Sequence, residues 1–195
     1  MVMKNLSDRV VEIAHQMKRN AEGMCLWRNY PLAAEALELL KSTGDPEETP
    51  AGKALALDFI LDYLSEYDTP RFCISLLEYE LEQVQLSPEQ DGIPDADELK
   101  ARISKLRDWI SPETVSDGEF YEKYSRYLKW DPLERTPLWE ELYLEVEHET
   151  DALVGDAPRG MGFCFGYWAA KRKVLLDKGI EWKDPHIMNP RVMFD

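Results

Sequence analysis

Apolar residues recur every three or four positions along most of the chain, the spacing that places them on one face of an α-helix. Leu138, Leu142 and Val146, for example, form one apolar stripe between charged positions. Val192 and Phe194 alternate as in a strand, but no clear second strand is available to pair with them. The pattern therefore predicts an all-α fold of about eight helices. The first is capped by Ser7, and the others lie near residues 31–42, 50–66, 70–86, 95–110, 116–130, 137–153 and 161–178.

Three Thr-Pro pairs mark predicted helix starts. Threonine can cap the first free amide groups of a helix, and proline fits its first turn because that position needs no backbone N–H. The pairs are Thr49–Pro50, Thr69–Pro70 and Thr136–Pro137. Only Tyr67 and Asp68 separate the helices expected after the first two pairs. This short connection predicts an antiparallel helical hairpin.

The most apolar stretch of the chain lies near its end. No charged residue occurs from Met161 to Ala170, and Gly162 and Gly166 stand four positions apart, where they would let a neighbouring helix approach closely. A helix that is apolar around most of its circumference is usually buried around most of it. We therefore expect residues 161–178 to form a buried C-terminal helix around which the fold is built.

A chain of 195 residues can form one domain with a sizeable core, and we expect a single all-α domain over residues 1–195. A polar turn with two prolines and one glycine, at residues 87–94, is the best candidate for a weak subdivision. The final stretch, residues 180–195, contains enough apolar residues to predict that it lies on the body of the protein.

Negative charge is concentrated in the first half of the chain. The net charge is −15, and residues 35–98 carry 17 acidic side chains against three basic ones, a net of −14. Nucleic acids and anionic membranes would repel such a surface, so we expect neither as a partner. Ordinary solubility explains the charge as well, but a basic protein partner would also fit it.

The acidic region contains one regular row of carboxylates. Asp58, Asp62 and Glu66 follow one another at a spacing of four, which places them on one face of a helix. Like charges at this spacing repel each other by a few tenths of a kcal/mol per pair. The row is therefore a candidate binding surface for a basic partner, and an ordinary solvated face is the alternative.

A second polar cluster suggests chemistry. On the helix expected at residues 137–153, Glu145 and Glu149 lie one turn apart with His148 beside them. Carboxylates and an imidazole on one helix edge can bind a divalent cation or perform acid–base catalysis. The alternative is that these residues form ion pairs with cations such as Arg159 or Arg172.

The remaining motifs point away from other chemistry. Glu12 and His15 repeat the Glu-x-x-His spacing of di-metal helical bundles, but they lie opposite the apolar stripe and should face water. Cys25, Cys73 and Cys164 are too widely spaced for a zinc site or a disulfide framework. The first residues also lack the apolar segment of a secretory signal. We therefore expect reduced thiols and a cytoplasmic protein.

The leading hypothesis is a non-enzymatic helical protein that acts through an acidic surface, as an inhibitor or adaptor of a basic protein partner. No cofactor is expected in this case. The alternative is a metal-dependent helical enzyme built on Glu145, His148 and Glu149, which would require a divalent metal ion. A convergent, buried carboxylate pocket would favour the enzyme, whereas a broad acidic face would favour the binding protein.

Overall fold

Helices form all the regular secondary structure in residues 8–42, 49–87 and 92–194, which are the residues that the computed structural model describes. Nine α-helices and two short 3-10 helices occur in these ranges, which contain no strand. The all-α class is therefore confirmed, while Ser7, the predicted first cap, lies outside the described residues. The α-helices are α1 (Asp8–Glu22), α2 (Asn29–Ser42), α3 (Pro50–Leu61), α4 (Pro70–Leu86), α5 (Ala96–Trp109), α6 (Asp117–Lys123), α7 (Pro137–Val154), α8 (Phe163–Asp177) and α9 (Pro185–Met188), and the 3-10 helices are Leu26–Arg28 and Pro132–Arg135.

All three Thr-Pro pairs begin a helix, as predicted. The hydroxyl of Thr49 accepts a hydrogen bond from the backbone N–H of Gly52 at 3.1 Å, and Thr136 caps α7 through the N–H of Trp139 at 3.4 Å. Thr69 precedes α4 without such a side-chain cap. Two of the three pairs therefore combine the threonine cap with proline in the first turn, and the third relies on proline alone.

Contacts within the chain divide it into two compact units, Met1–Arg107 and Asp108–Asp195. Part of the polar turn at 87–94, residues 88–91, lies outside the described residues. The expected single domain over residues 1–195, with a weak subdivision at that turn, stays a prediction.

In the first unit, α3 packs along α4, and α1 and α2 pack on each other and on α3. The connection between α3 and α4 spans residues 62–69 and is longer than expected, because α3 ends at Leu61. Side chains from all four helices, and from α5, form the core. Its largest fully buried members are Ile13, Met17, Leu40, Leu57, Ile60, Leu61, Leu76, Leu77, Leu99 and Leu106.

In the second unit, α7 packs against α8. Their shared core is a cluster of buried residues, Trp139, Val146, Val174, Leu175 and Trp182. Trp182 comes from the last stretch of the chain, which supports the prediction that residues 180–195 lie on the body. A further aromatic group surrounds the buried guanidinium of Arg135.

The C-terminal helix is less buried than its composition predicts. Within α8, only Lys171, Val174 and Leu175 are buried, whereas Phe165 is 42% exposed and Leu176 is 62% exposed. The prediction that α8 is buried around most of its circumference is therefore wrong, because only one face of its C-terminal half is buried. The physical reason is that α8 packs mainly against one helix, α7, which covers one side of it.

Every helix in the described ranges is too short or too polar to cross a lipid bilayer.

Candidate functional site

The first unit brings four carboxylates together from three parts of the chain. Asp58 lies on α3, Asp62 follows the end of that helix, Glu66 lies in the connection to α4, and Glu80 lies on α4. Arg102 on α5 is the cation that acts on the group. We call these four acidic residues and Arg102 the carboxylate cluster.

Exposure falls steeply from one side of the carboxylate cluster to the other. Asp62 is exposed to solvent, Asp58 is half-buried, and Glu80 is fully buried at 0% exposure. Glu80 lies on the buried face of α4 because it follows Leu76 by one helical turn and Leu77 by three residues, and both leucines belong to the core. The cluster therefore extends from the protein surface to an ionisable carboxyl group in the interior.

The carboxyl group of Glu80 lacks a hydrogen-bond partner among the described residues. Neither of its carboxyl oxygens is hydrogen-bonded within the described part of the chain, although both are shielded from solvent. Leaving a buried polar group unpaired costs about 1–3 kcal/mol, and more for a charged group. Most buried polar groups in proteins are paired for this reason, so this carboxyl group needs a specific explanation.

Burial raises the pKa of Glu80 to about 8, and the nearby charges of Asp58 and Asp62 raise it as well. Arg102 opposes this shift without cancelling it. The pKa of Asp58 is also raised, first by burial and then by the charge of Asp62. Burial and neighbouring carboxylates therefore destabilise the charged forms of Glu80 and Asp58, and the charge of Arg102 does not offset this effect at either group.

The one cation of the cluster is bound to a different carboxylate. Arg102 donates two hydrogen bonds to Oε1 of Glu66, from Nη2 at 2.6 Å and from Nε at 3.0 Å. It acts on Glu80 through its charge alone, without a hydrogen bond. The predicted row of Asp58, Asp62 and Glu66 is thus divided. Glu66 is paired with Arg102, whereas the charges of the two aspartates act on Glu80 and raise its pKa.

The spacing of acidic residues in the sequence predicted Asp58 and Asp62 as part of a binding surface, but it did not predict that Glu80 belongs to it. The available signal was its position seven residues after Cys73 and four after Leu76, on the apolar stripe of α4. Glutamate at such a position is easily taken for the edge of a solvated face, because glutamate is rarely fully buried.

The second predicted site lies on the surface of α7. Glu145, His148 and Glu149 are all exposed there. The amino group of Lys178 lies between the two carboxylates, 2.6 Å from Glu145 and 2.9 Å from Glu149. Its hydrogen bond lowers the pKa of Glu145. A metal ion would have to displace this amino group.

These contacts agree in kind with the ion-pair interpretation, but the partner differs from the two arginines expected. Arg159 pairs with Asp151, and Arg172 pairs with Asp184 at 2.8 Å. No group of three or more His, Cys, Asp or Glu side chains among the described residues is placed to hold a metal ion. The catalytic and metal-binding roles of Glu145, His148 and Glu149 stay predictions.

A buried ion pair in the second unit was not anticipated. Lys171 lies 2.6 Å from Glu147, and both side chains are 9% exposed. Tyr167 donates a hydrogen bond to the other carboxyl oxygen of Glu147, and the Lys171 ammonium lies over the rings of Trp139 and Trp182 at 4.4 and 5.3 Å. Every part of this group has a partner, so the pair is explained as part of the core.

The chain matches no protein-family model, no curated protein and no solved structure.

Proposed function

We propose that the protein binds a basic protein partner through the carboxylate cluster and acts by this contact as an inhibitor or adaptor. The observation that carries the proposal is the fully buried carboxyl group of Glu80, which lies beside two further carboxylates and has no hydrogen-bond partner in the part of the chain that the structure describes. A cationic side chain from a partner would supply the missing counter-charge. The exposed carboxylate of Asp62 and the half-buried carboxylate of Asp58 would attract this cationic side chain towards Glu80.

The charge distribution supports the same partner. Residues 35–98 have a net charge of −14, and this field would speed the approach of a basic protein and slow that of a nucleic acid or an anionic membrane. We also propose that both proteins lie in the cytoplasm, because Cys25, Cys73 and Cys164 form no disulfide bond in the described part of the chain and reduced cysteines persist in a reducing compartment.

The test compares two double variants with the same change in net charge. Asp58→Asn with Asp62→Asn removes the two approach charges of the cluster. Glu22→Gln with Glu38→Gln removes two exposed charges on α1 and α2. A peptide of alternating arginine and glycine serves as the probe, and calorimetry measures its dissociation constant at low and at physiological salt.

We expect the cluster variant to weaken binding at least about tenfold, because close charge pairs contribute about 1.5 kcal/mol or more when they are desolvated. The control variant should change the dissociation constant by less than about twofold, since it alters only the distant field. Equal effects of the two variants would show that the peptide responds to net charge alone, and would overturn the proposal.

A further inference from the structure

Glu80 raises a question that a general acidic surface does not answer. A surface that attracts basic proteins needs exposed carboxylates such as Asp62, whereas Glu80 is fully buried. Its charge is costly to keep in the interior, and an apolar residue of the same length would fill the position without that cost. Position, burial and the missing hydrogen bonds together indicate a ligand that reaches this carboxyl group.

We propose that Glu80 anchors a site for one arginine side chain of the basic partner, bordered by Asp58, Asp62 and Arg102. This inference rests on the proposed function and adds the chemical class of the contact. The Arg102 guanidinium interacts with Glu80 through its charge, but it donates its hydrogen bonds to Glu66. The arriving guanidinium supplies the hydrogen bonds that Glu80 lacks. The ion pair of Arg102 and Glu66, whose side chains are 33% and 23% exposed, would have to move to admit the incoming guanidinium.

Arginine fits this site better than lysine for two reasons. A guanidinium offers five N–H donors in a plane and can bind one carboxylate through two of them, so it can serve Glu80 and an aspartate together. It is also less strongly hydrated than an ammonium group, so it loses less when it leaves water for a buried position. A lysine offers one compact charge and would leave part of the cluster unpaired.

Arginine binding at this site is coupled to a proton. With a pKa of about 8, Glu80 holds its proton at neutral pH in the free protein, and the bound guanidinium requires the carboxylate. Each binding event therefore releases up to one proton, and affinity rises as the pH rises toward 8. The groups that set this behaviour are Asp58 and Asp62 at the end of α3 and Arg102 on α5, with Glu66 behind Arg102.

The experiment uses three peptides that differ at one position. A short arginine- and glycine-containing peptide carries arginine, lysine or citrulline at its centre, and citrulline keeps the shape of arginine without its charge. Calorimetry at about pH 6.5 in buffers of different ionisation enthalpy measures the protons released. We expect release of up to one proton with arginine, and affinity that rises by as much as tenfold per pH unit between about pH 6 and 7.5.

Glu80→Gln keeps the shape of the side chain and removes its charge. This variant should release no proton, lose the dependence on pH, and bind the arginine peptide at least about tenfold more weakly. Glu80→Met provides the same comparison if the glutamine variant does not fold. The lysine peptide should bind more weakly than the arginine peptide, and the citrulline peptide more weakly still.

The outcomes separate the two proposals. The arginine site is overturned if Glu80→Gln binds the peptide with unchanged affinity and the wild type releases no proton on binding. In that case, weaker binding by the Asp58→Asn, Asp62→Asn variant would still support an acidic binding surface. Equal binding of arginine and citrulline peptides also overturns the site. If the Asp58→Asn, Asp62→Asn variant binds the arginine peptide as tightly as the wild type, the proposed function is overturned, and the arginine site is overturned with it.

Discussion

Glu80 in the first unit and Glu147 in the second unit are both buried, and they differ in what surrounds the carboxyl group. Glu147 on α7 has the ammonium of Lys171 at 2.6 Å and the hydroxyl of Tyr167 as a donor. Glu80 on α4 has no hydrogen-bond partner among the described residues, and burial raises its pKa to about 8. The paired carboxylate of Glu147 is explained by the fold that contains it, whereas the unpaired carboxyl group of Glu80 requires a further explanation, for which we propose a group from a partner.

The contrast predicts opposite effects on stability. Removing a partner should harm the second unit, where the charges are balanced. Removing the buried carboxyl group should stabilise the first unit, because Glu80 has no hydrogen-bond partner among the described residues. The following changes test this contrast, beginning with the largest effect.

Lys171→Met should lower the free energy of unfolding by about 3–5 kcal/mol, because it leaves the Glu147 carboxylate buried without its cation. Denaturant unfolding followed by tryptophan fluorescence measures the loss, since Trp139 and Trp182 lie beside the lysine. The control is Lys173→Met, which removes an exposed partner of Asp177 and should leave stability unchanged within error. A loss below about 1 kcal/mol for Lys171→Met would remove the contrast between the two glutamates.

Glu80→Leu should raise the free energy of unfolding at neutral pH by about 1–4 kcal/mol, because an apolar side chain replaces an unpaired buried acid. It should also abolish binding of the arginine peptide, so that stability increases while function is lost. Glu82→Leu, at an exposed position of the same helix, is the matched control and should change stability little. Destabilisation by Glu80→Leu would mean that the carboxyl group already has a stabilising role in the free protein.

The pH dependence of stability should differ between the wild type and Glu80→Gln. The pKa of Glu80 is about 8 in the folded protein against an ordinary value of 4.5, so between these values the folded state holds a proton that the unfolded state releases. Raising the pH therefore destabilises the wild type, by up to about 1.4 kcal/mol per pH unit.

Urea unfolding at several pH values between about 5 and 8 measures this slope, and the glutamine variant corrects for all other titrating groups. The stability difference between variant and wild type should widen as the pH rises. A constant difference would show that the pKa of Glu80 is close to its ordinary value.

The smallest effect is expected at the exposed carboxylates of α7. Lys178→Met should raise the pKa of Glu145, because it removes the hydrogen bond that lowers it, and should leave the unfolding midpoint within error of the wild type. Nuclear magnetic resonance of the carboxyl carbon follows the titration.

The same variant tests the metal alternative. Removing the amino group leaves Glu145 and Glu149 open to a cation, yet we expect Mg²⁺, Mn²⁺ and Zn²⁺ to leave the melting temperature unchanged, because two exposed carboxylates do not make a closed site. A concentration-dependent rise in melting temperature would instead support the predicted site at Glu145, His148 and Glu149.

Much of the fold, and part of the site, could be predicted from local sequence patterns. The Thr-Pro pairs marked the starts of α3, α4 and α7. The spacing of four predicted that Asp58 and Asp62 lie close enough to interact, although α3 ends at Leu61, before Asp62 and Glu66. The prediction for α8 failed over most of its surface, because composition shows how apolar a helix is but not how many neighbours cover it. Glu80 was missed because its surroundings come from α3 and α5 as well as from its own helix.

Local sequence patterns were enough to predict the all-α class, most helix starts and the acidic character of the first half of the chain. These properties depend on residues within a few positions of one another, where helical geometry decides which side chains meet. Which charges are paired follows only from the way the helices pack on one another. Lys178 pairs with Glu145 from 33 residues away, and Arg102 pairs with Glu66 from 36 residues away, while Glu80 has no hydrogen bond within residues 8–42, 49–87 and 92–194. Such pairings depend on distances between separate helices, which no local pattern contains.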